Sequence, residues 1–99
     1  ATRKTAIYPA DQGLIYTTLG LTGEAGEVAE KVKKMIRDDI ELDDKYRGKI
    51  VRELGDVLWY VSNLAHELGV SLDTVAKANL CKLNSRKSRD VIKGDGDER

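Results

Sequence analysis

Residues 14–36 read LIYTTLGLTGEAGEVAEKVKKMI, and the spacing of their apolar members decides the fold class. Leu14, Ile15, Leu19, Leu21, Ala25, Val28, Ala29, Val32, Met35 and Ile36 recur three and four apart, the repeat of a helix face rather than the alternation of a strand. That spacing predicts one long helix over about residues 10–38, with Pro9 placed at its start. The polar stretch Arg37 to Asp44 breaks the pattern. A second helix is predicted over about 44–68, burying Ile50, Val51, Leu54, Val57, Leu58, Val61, Leu64, Ala65 and Leu68. Gly69 suits its stop. Ser71 can cap a third helix reaching about residue 92 through Leu72, Val75, Ala76, Asn79, Leu80 and Leu83. Few segments favour strand, so the fold class is all-α, a helical bundle of about three main helices in a single domain over 1–99. Residues 93–99, rich in glycine and charge, read as a flexible tail.

Composition narrows the function. Hydrophobic residues are 40% and charged residues 34%, which is ordinary for a soluble helical protein and too apolar for disorder. Lysine plus arginine and aspartate plus glutamate number 17 each, so the basic excess of a general nucleic-acid binder is absent and no stable nucleic-acid binding is expected. Cys81 is the single cysteine, which excludes an internal disulfide and points to a reducing, cytoplasmic setting. With one histidine beside it, a Cys/His zinc site is excluded too. No apolar run approaches a membrane span, so no membrane partner is expected. A chain this short has a thin core. Its three helices leave apolar surface that one copy cannot cover, with Trp59 and Met35 candidates to stay exposed, and at least a homodimer is expected.

The chemistry-bearing residues are acids. Glu24 and Glu27 lie three apart on the first helix, and Glu53 and Asp56 three apart on the second, so each pair shares a face. Antiparallel neighbours can bring the two pairs together and offer the hard oxygen ligands that Mg²⁺ takes beside substrate phosphates. Paired acids on helices are more often simply solvated. Here, however, Glu53 and Asp56 border the most apolar stretch of the chain, and Gly20, Gly23, Gly26 and Gly55 interleave with the acids. Each glycine costs a helix about 1 kcal/mol relative to alanine, which argues for close backbone approach at these positions, with or without a metal.

The runs Leu19-Gly20-Leu21-Thr22-Gly23-Glu24-Ala25-Gly26-Glu27-Val28-Ala29-Glu30 and Glu53-Leu54-Gly55-Asp56-Val57-Leu58-Trp59-Tyr60 resemble the E-x-x-E and E-x-x-D motifs of MazG-like nucleoside triphosphate pyrophosphohydrolases. The likeness continues through Ala78-Asn79-Leu80-Cys81-Lys82-Leu83 and Arg86. It implies an all-α enzyme that uses Mg²⁺, with Mn²⁺ able to substitute, to split nucleoside triphosphates into monophosphate and pyrophosphate. It further implies that Glu24, Glu27, Glu53 and Asp56 are the metal-holding, catalytic acids, that Asn79, Lys82 and Arg86 face the nucleotide, and that the assembly is a homodimer or homotetramer. Gly23 stands where many relatives carry a second acid, so the resemblance leaves the number of ions open.

Other residues carry weaker readings. Lys82, Arg86, Arg89 and Lys93 follow helical spacing and form either a phosphate clamp or a solvated basic face. Lys31 and Lys34 continue the stripe of Glu24 and Glu27 and can reach phosphate or form salt bridges. Trp59 can stack on a base or pack a neighbouring helix, His66 is unlike a general base, and Cys81 reads as a small buried hydrophobe. A di-iron carboxylate bundle fails because it needs Glu-x-x-His pairs, and Asn63 stands three residues before the sole histidine. A non-catalytic helical interaction module remains the alternative; it explains the periodicity but not the glycines beside the acids. Base and sugar preference are not written in any residue.

Overall fold

A computed structural model describes residues 2–89, 94, 96 and 97. Short 3₁₀ turns at Thr2–Thr5 and Ala10–Gln12 lead into α1 (Gly13–Asp38), α2 (Asp44–Glu67) and α3 (Leu72–Ser88), and the described residues contain no strand. The all-α reading holds. The first two helices match their predicted spans closely, while α3 ends at Ser88, short of the predicted 92, with residues 90–93 outside the described set. Of the predicted tail, only residues 94, 96 and 97 are described.

The helix ends follow from local chemistry. Asp43 caps α2 by accepting from the Tyr46 amide at 2.8 Å, and Ser71 caps α3 by accepting from the Thr74 amide at 3.1 Å. Gly69, with φ of 78°, turns the chain out of α2. Its amide and that of Val70 donate to the His66 and Ala65 carbonyls, satisfying two of the last turn's acceptors. Asp39 does the same for α1 in a left-handed conformation, φ 51°, that aspartate tolerates better than most side chains.

α1 and α2 form an antiparallel hairpin whose register is fixed at three levels. A Cβ on Gly13 would run into the Glu67 carboxylate, and one on Gly20 into the Tyr60 ring. Further along, the Tyr46 hydroxyl donates to the Lys31 carbonyl at 2.7 Å. Residue numbers rise on α1 as they fall on α2, so the same register sets Glu24 across from Asp56 and Glu27 across from Glu53.

Beyond this hairpin the molecule is thin. α3 packs on α2 and does not reach α1 among the described contacts. The radius of gyration is 16.8 Å, against about 13 Å for a compact domain of this length. The apolar faces of the hairpin are only partly covered: Ile15, Leu19 and Ile36 are 64%, 67% and 81% exposed, and Val51, Leu54, Leu58 and Leu68, predicted to be buried on the second helix, are exposed as well. Trp59 and Met35, the predicted exposed pair, are instead half-buried. Cys81 is exposed, not buried, on a helix that packs against α2 alone among the described elements. No helix among the described residues is long and apolar enough to cross a membrane.

Candidate functional site

The hairpin register brings acids from both helices together midway along its length. Glu24 from α1 and Glu53 and Asp56 from α2 each offer a carboxylate oxygen, and these oxygens lie within 4.8 Å of one another. Glu24 and Glu53 are half-buried and Asp56 is exposed. Among the described residues none of the three has a cation or hydrogen-bond donor as partner. Burial and then the charges of Asp56, Glu53 and Glu27 push the Glu24 carboxyl above its ordinary value. The cluster is therefore electrostatically strained in the direction that a cation relieves. Three oxygen donors without nitrogen or sulfur fit a hard divalent ion such as Mg²⁺. Glu27, the fourth predicted ligand, is exposed and outside this convergent trio, though its charge still reaches Glu24.

Aromatic rings wall the site. Glu24, Asp56, Trp59 and Tyr60 line an open cleft of about 300 Å³. The Trp59 and Tyr60 rings meet edge to face, 4.9 Å between centroids, and Tyr60 leans on Tyr16 at 6.3 Å, which in turn stacks on Tyr8 at 5.0 Å. Burial, the neighbouring Tyr16 phenol, and the Glu24 and Asp56 charges raise the Tyr60 hydroxyl pKa. Gly20 is what lets this ring lie flat on α1 one turn before Glu24. The expected close approach is thus real at Gly20 alone: within the described residues nothing lies within 4 Å of where a Cβ on Gly23, Gly26 or Gly55 would stand.

The predicted nucleotide-facing residues lie elsewhere in the single chain. Asn79 and Lys82 line a separate cleft of about 400 Å³ with Leu72, Val75, Ala76 and Ala78. Arg86 is buried, and together with Lys82 it holds Asp97: Lys82 Nζ donates to Oδ1 at 2.8 Å and Arg86 to the same oxygen at 3.2 Å and to the Asp97 carbonyl. Those cations, Lys82 foremost, pull the Asp97 pKa down. Arg89 ends α3 and donates to the Ser85 hydroxyl at 3.1 Å, and Lys31 is half-buried on α1. The structure does not bring α3 to the acids.

A polar latch went unread in the sequence. Arg3 and Tyr8, from the segment before α1, reach the far end of α2. Tyr8 donates to Glu67 at 2.8 Å, Arg3 donates to fully buried Asn63 at 3.2 Å and to Tyr8 at 2.7 Å, and Trp59 Nε1 donates to Thr5 at 2.6 Å. Isolated polar residues ahead of a helix carry no periodicity, so only Asn63 and Glu67, polar positions on a helix, hinted at a partner.

Residues 12–90 match the MazG nucleotide pyrophosphohydrolase domain. The chain is 52% identical to the Gene 37 protein of Mycobacterium phage L5, an alignment that covers 100% of this chain and 93% of that protein. No solved structure matches it.

Proposed function

This chain belongs to the MazG nucleotide pyrophosphohydrolase family, and we propose that it hydrolyses nucleoside or deoxynucleoside triphosphates to the monophosphate and pyrophosphate, clearing or shaping a nucleotide pool. The observation that carries the reading is the convergence of Glu24, Glu53 and Asp56 from two helices, without a cation among the described residues, in a cleft with an aromatic wall.

We assign Glu24, Glu53 and Asp56 to holding Mg²⁺, or Mn²⁺ in its place, with Glu27 joining as a further acidic ligand at the outer edge. Such an ion would supply Lewis-acid chemistry there, offsetting the charge of the phosphate oxygens and making water a better nucleophile. The chain's own residues do the rest. The Gly20–Tyr60 contact fixes α1 against α2, so the carboxylates converge before substrate arrives and need little rearrangement. Asn79, Lys82, Arg86, Lys31 and Arg89 are assigned to the triphosphate. Lys82 and Arg86 already grip one anionic group, the Asp97 carboxylate, which supports their fitness for phosphate. The half-covered apolar faces of α1 and α2 support a homodimer or homotetramer as the working form.

The test is product analysis over all ribo- and deoxynucleoside triphosphates, with Mg²⁺ and with EDTA. Pyrophosphate plus monophosphate, abolished by EDTA, is the expected result. Orthophosphate plus diphosphate would move the cleavage site, and no turnover of any nucleotide would leave the interaction-module reading in its place.

A further inference from the structure

Trp59 is the chain's only tryptophan, and its indole is fixed from two sides. The Nε1–H donates to the Thr5 hydroxyl at 2.6 Å, and the ring packs against the Tyr60 ring in a T-shaped pair, 80° between planes. Trp59 lines the same cleft as Glu24 and Asp56, one helical turn beyond Asp56. A ligand whose phosphates met the acids would therefore have an aromatic surface beside it.

We propose that Trp59 is the base-contacting residue of this site and that Thr5, acting through the indole hydrogen bond, is the positioning residue that sets its plane. The inference rests on the nucleotide reading given above. An indole rotates freely about its two side-chain torsions unless something holds it, and here the hold comes from outside the hairpin. The turn Thr2–Thr5 is itself tied to α2 through Arg3, by its contacts to Asn63 and Glu67. The segment before α1 thus acts as a brace whose end touches the substrate wall. Loss of one hydrogen bond of this kind changes an equilibrium about three- to ten-fold, and loss of a ring that stacks on a base changes affinity about ten-fold or more.

Trp59 emission reads the proposal directly. The probes are α,β-imido deoxynucleoside triphosphates, which resist cleavage, and inorganic tripolyphosphate, which carries the charge without a base, each with Mg²⁺. The imido nucleotides should quench Trp59 emission and tripolyphosphate should not. Thr5→Val should shift the unliganded emission and weaken imido-nucleotide binding about three- to ten-fold, Thr5→Ser should restore both, and tripolyphosphate affinity should stay constant across the series. In steady state the Thr5→Val change should fall on KM rather than kcat. Equal quenching by tripolyphosphate, or a Thr5→Val protein that binds imido nucleotides like the parent, would overturn the inference while leaving hydrolysis intact. A parent that neither binds nor hydrolyses any nucleotide would overturn both readings.

Discussion

α2 carries carboxylates in two settings that differ in everything but the side chain. Near its C-terminus Glu67 accepts from Tyr8 and lies 3.8 Å from Arg3, and the bare backbone of Gly13 leaves room for it. Three to four turns earlier Glu53 and Asp56 converge on Glu24, whose pKa is raised by burial first and then by these neighbouring charges. The first arrangement ties a segment to a helix. The second is costly to the fold without a cation, which is the kind of cost that the proposed metal site would explain. Electrostatic partnering, more than the presence of an acid, separates the tied end of the hairpin from the candidate site at its middle.

The largest expected effect exploits that difference. Asp56→Ala or Glu53→Ala should lower kcat by orders of magnitude while helical circular dichroism persists. Glu67→Ala should do the reverse, keeping kcat near the parent's and lowering stability by about 1–3 kcal/mol for a charged hydrogen-bonded group. Steady-state rates and urea melts on the three proteins check it. An active Asp56→Ala protein would erase the distinction between the two regions.

Magnesium should act on one region only. A divalent ion held by the converged acids would find no such cluster in the unfolded chain, so at one hundred times its Kd it should stabilise by about 2.7 kcal/mol. For a domain this small that is roughly 10–20 °C in Tm. The shift should survive Glu67→Ala and vanish in Asp56→Ala at equal protein concentration. Equal shifts in all three would place the ion elsewhere.

What the sequence made legible follows the same division. The α1 and α2 spans and the Ser71 and Gly69 boundaries came from periodicity and capping chemistry, which are local. The acids were legible because i, i+3 spacing on two helices is also local, and the hairpin had only to supply a register. Glu27 shows the limit of that reading: spacing puts it on the face of Glu24, but side-chain reach across the hairpin selects Glu24 for the convergent trio. The latch of Arg3, Thr5 and Tyr8 was invisible because it joins residues about sixty apart through single contacts. The exposure of Val51, Leu54, Leu58 and Leu68, which their spacing assigns to a buried face, was not legible because periodicity states that a face is apolar without stating what covers it.

The glycines beside the acids allow a smaller test. Gly20→Ala would drive a methyl into a Tyr60 ring already held by Trp59 and Tyr16, and overpacking of this kind costs about 1–3 kcal/mol. Gly23→Ala meets open space, and by helix propensity should stabilise the chain by about 0.5–1 kcal/mol. Denaturant melts of both variants give the comparison. A Gly23→Ala protein that is destabilised would mean that this open face is covered in solution, and light scattering on the same samples would show whether a second copy covers it.

The smallest effect concerns pH, and its sign separates the two kinds of carboxylate. Glu24 has its folded pKa above the ordinary value of 4.5, through burial and then its acidic neighbours. Between those two values the folded metal-free protein holds more protons than the unfolded chain, so its stability falls as pH rises through that window. Asp97 runs the other way. Lys82 and Arg86 hold its pKa below the ordinary 3.8, so its contribution is present above that value and is lost as pH falls through the lowered one. Glu24→Gln removes the first behaviour and leaves the second. In EDTA the variant should melt above the parent at neutral pH, and the gap should close as the pH approaches about 4, where the parent's Glu24 is itself protonated. With saturating Mg²⁺ the order should invert at neutral pH, because the parent alone then gains the ion. A gap in EDTA that stays constant with pH would mean that neither burial nor its acidic neighbours raise the Glu24 pKa, and the contrast between a partnered and an unpartnered cluster would fail at its centre.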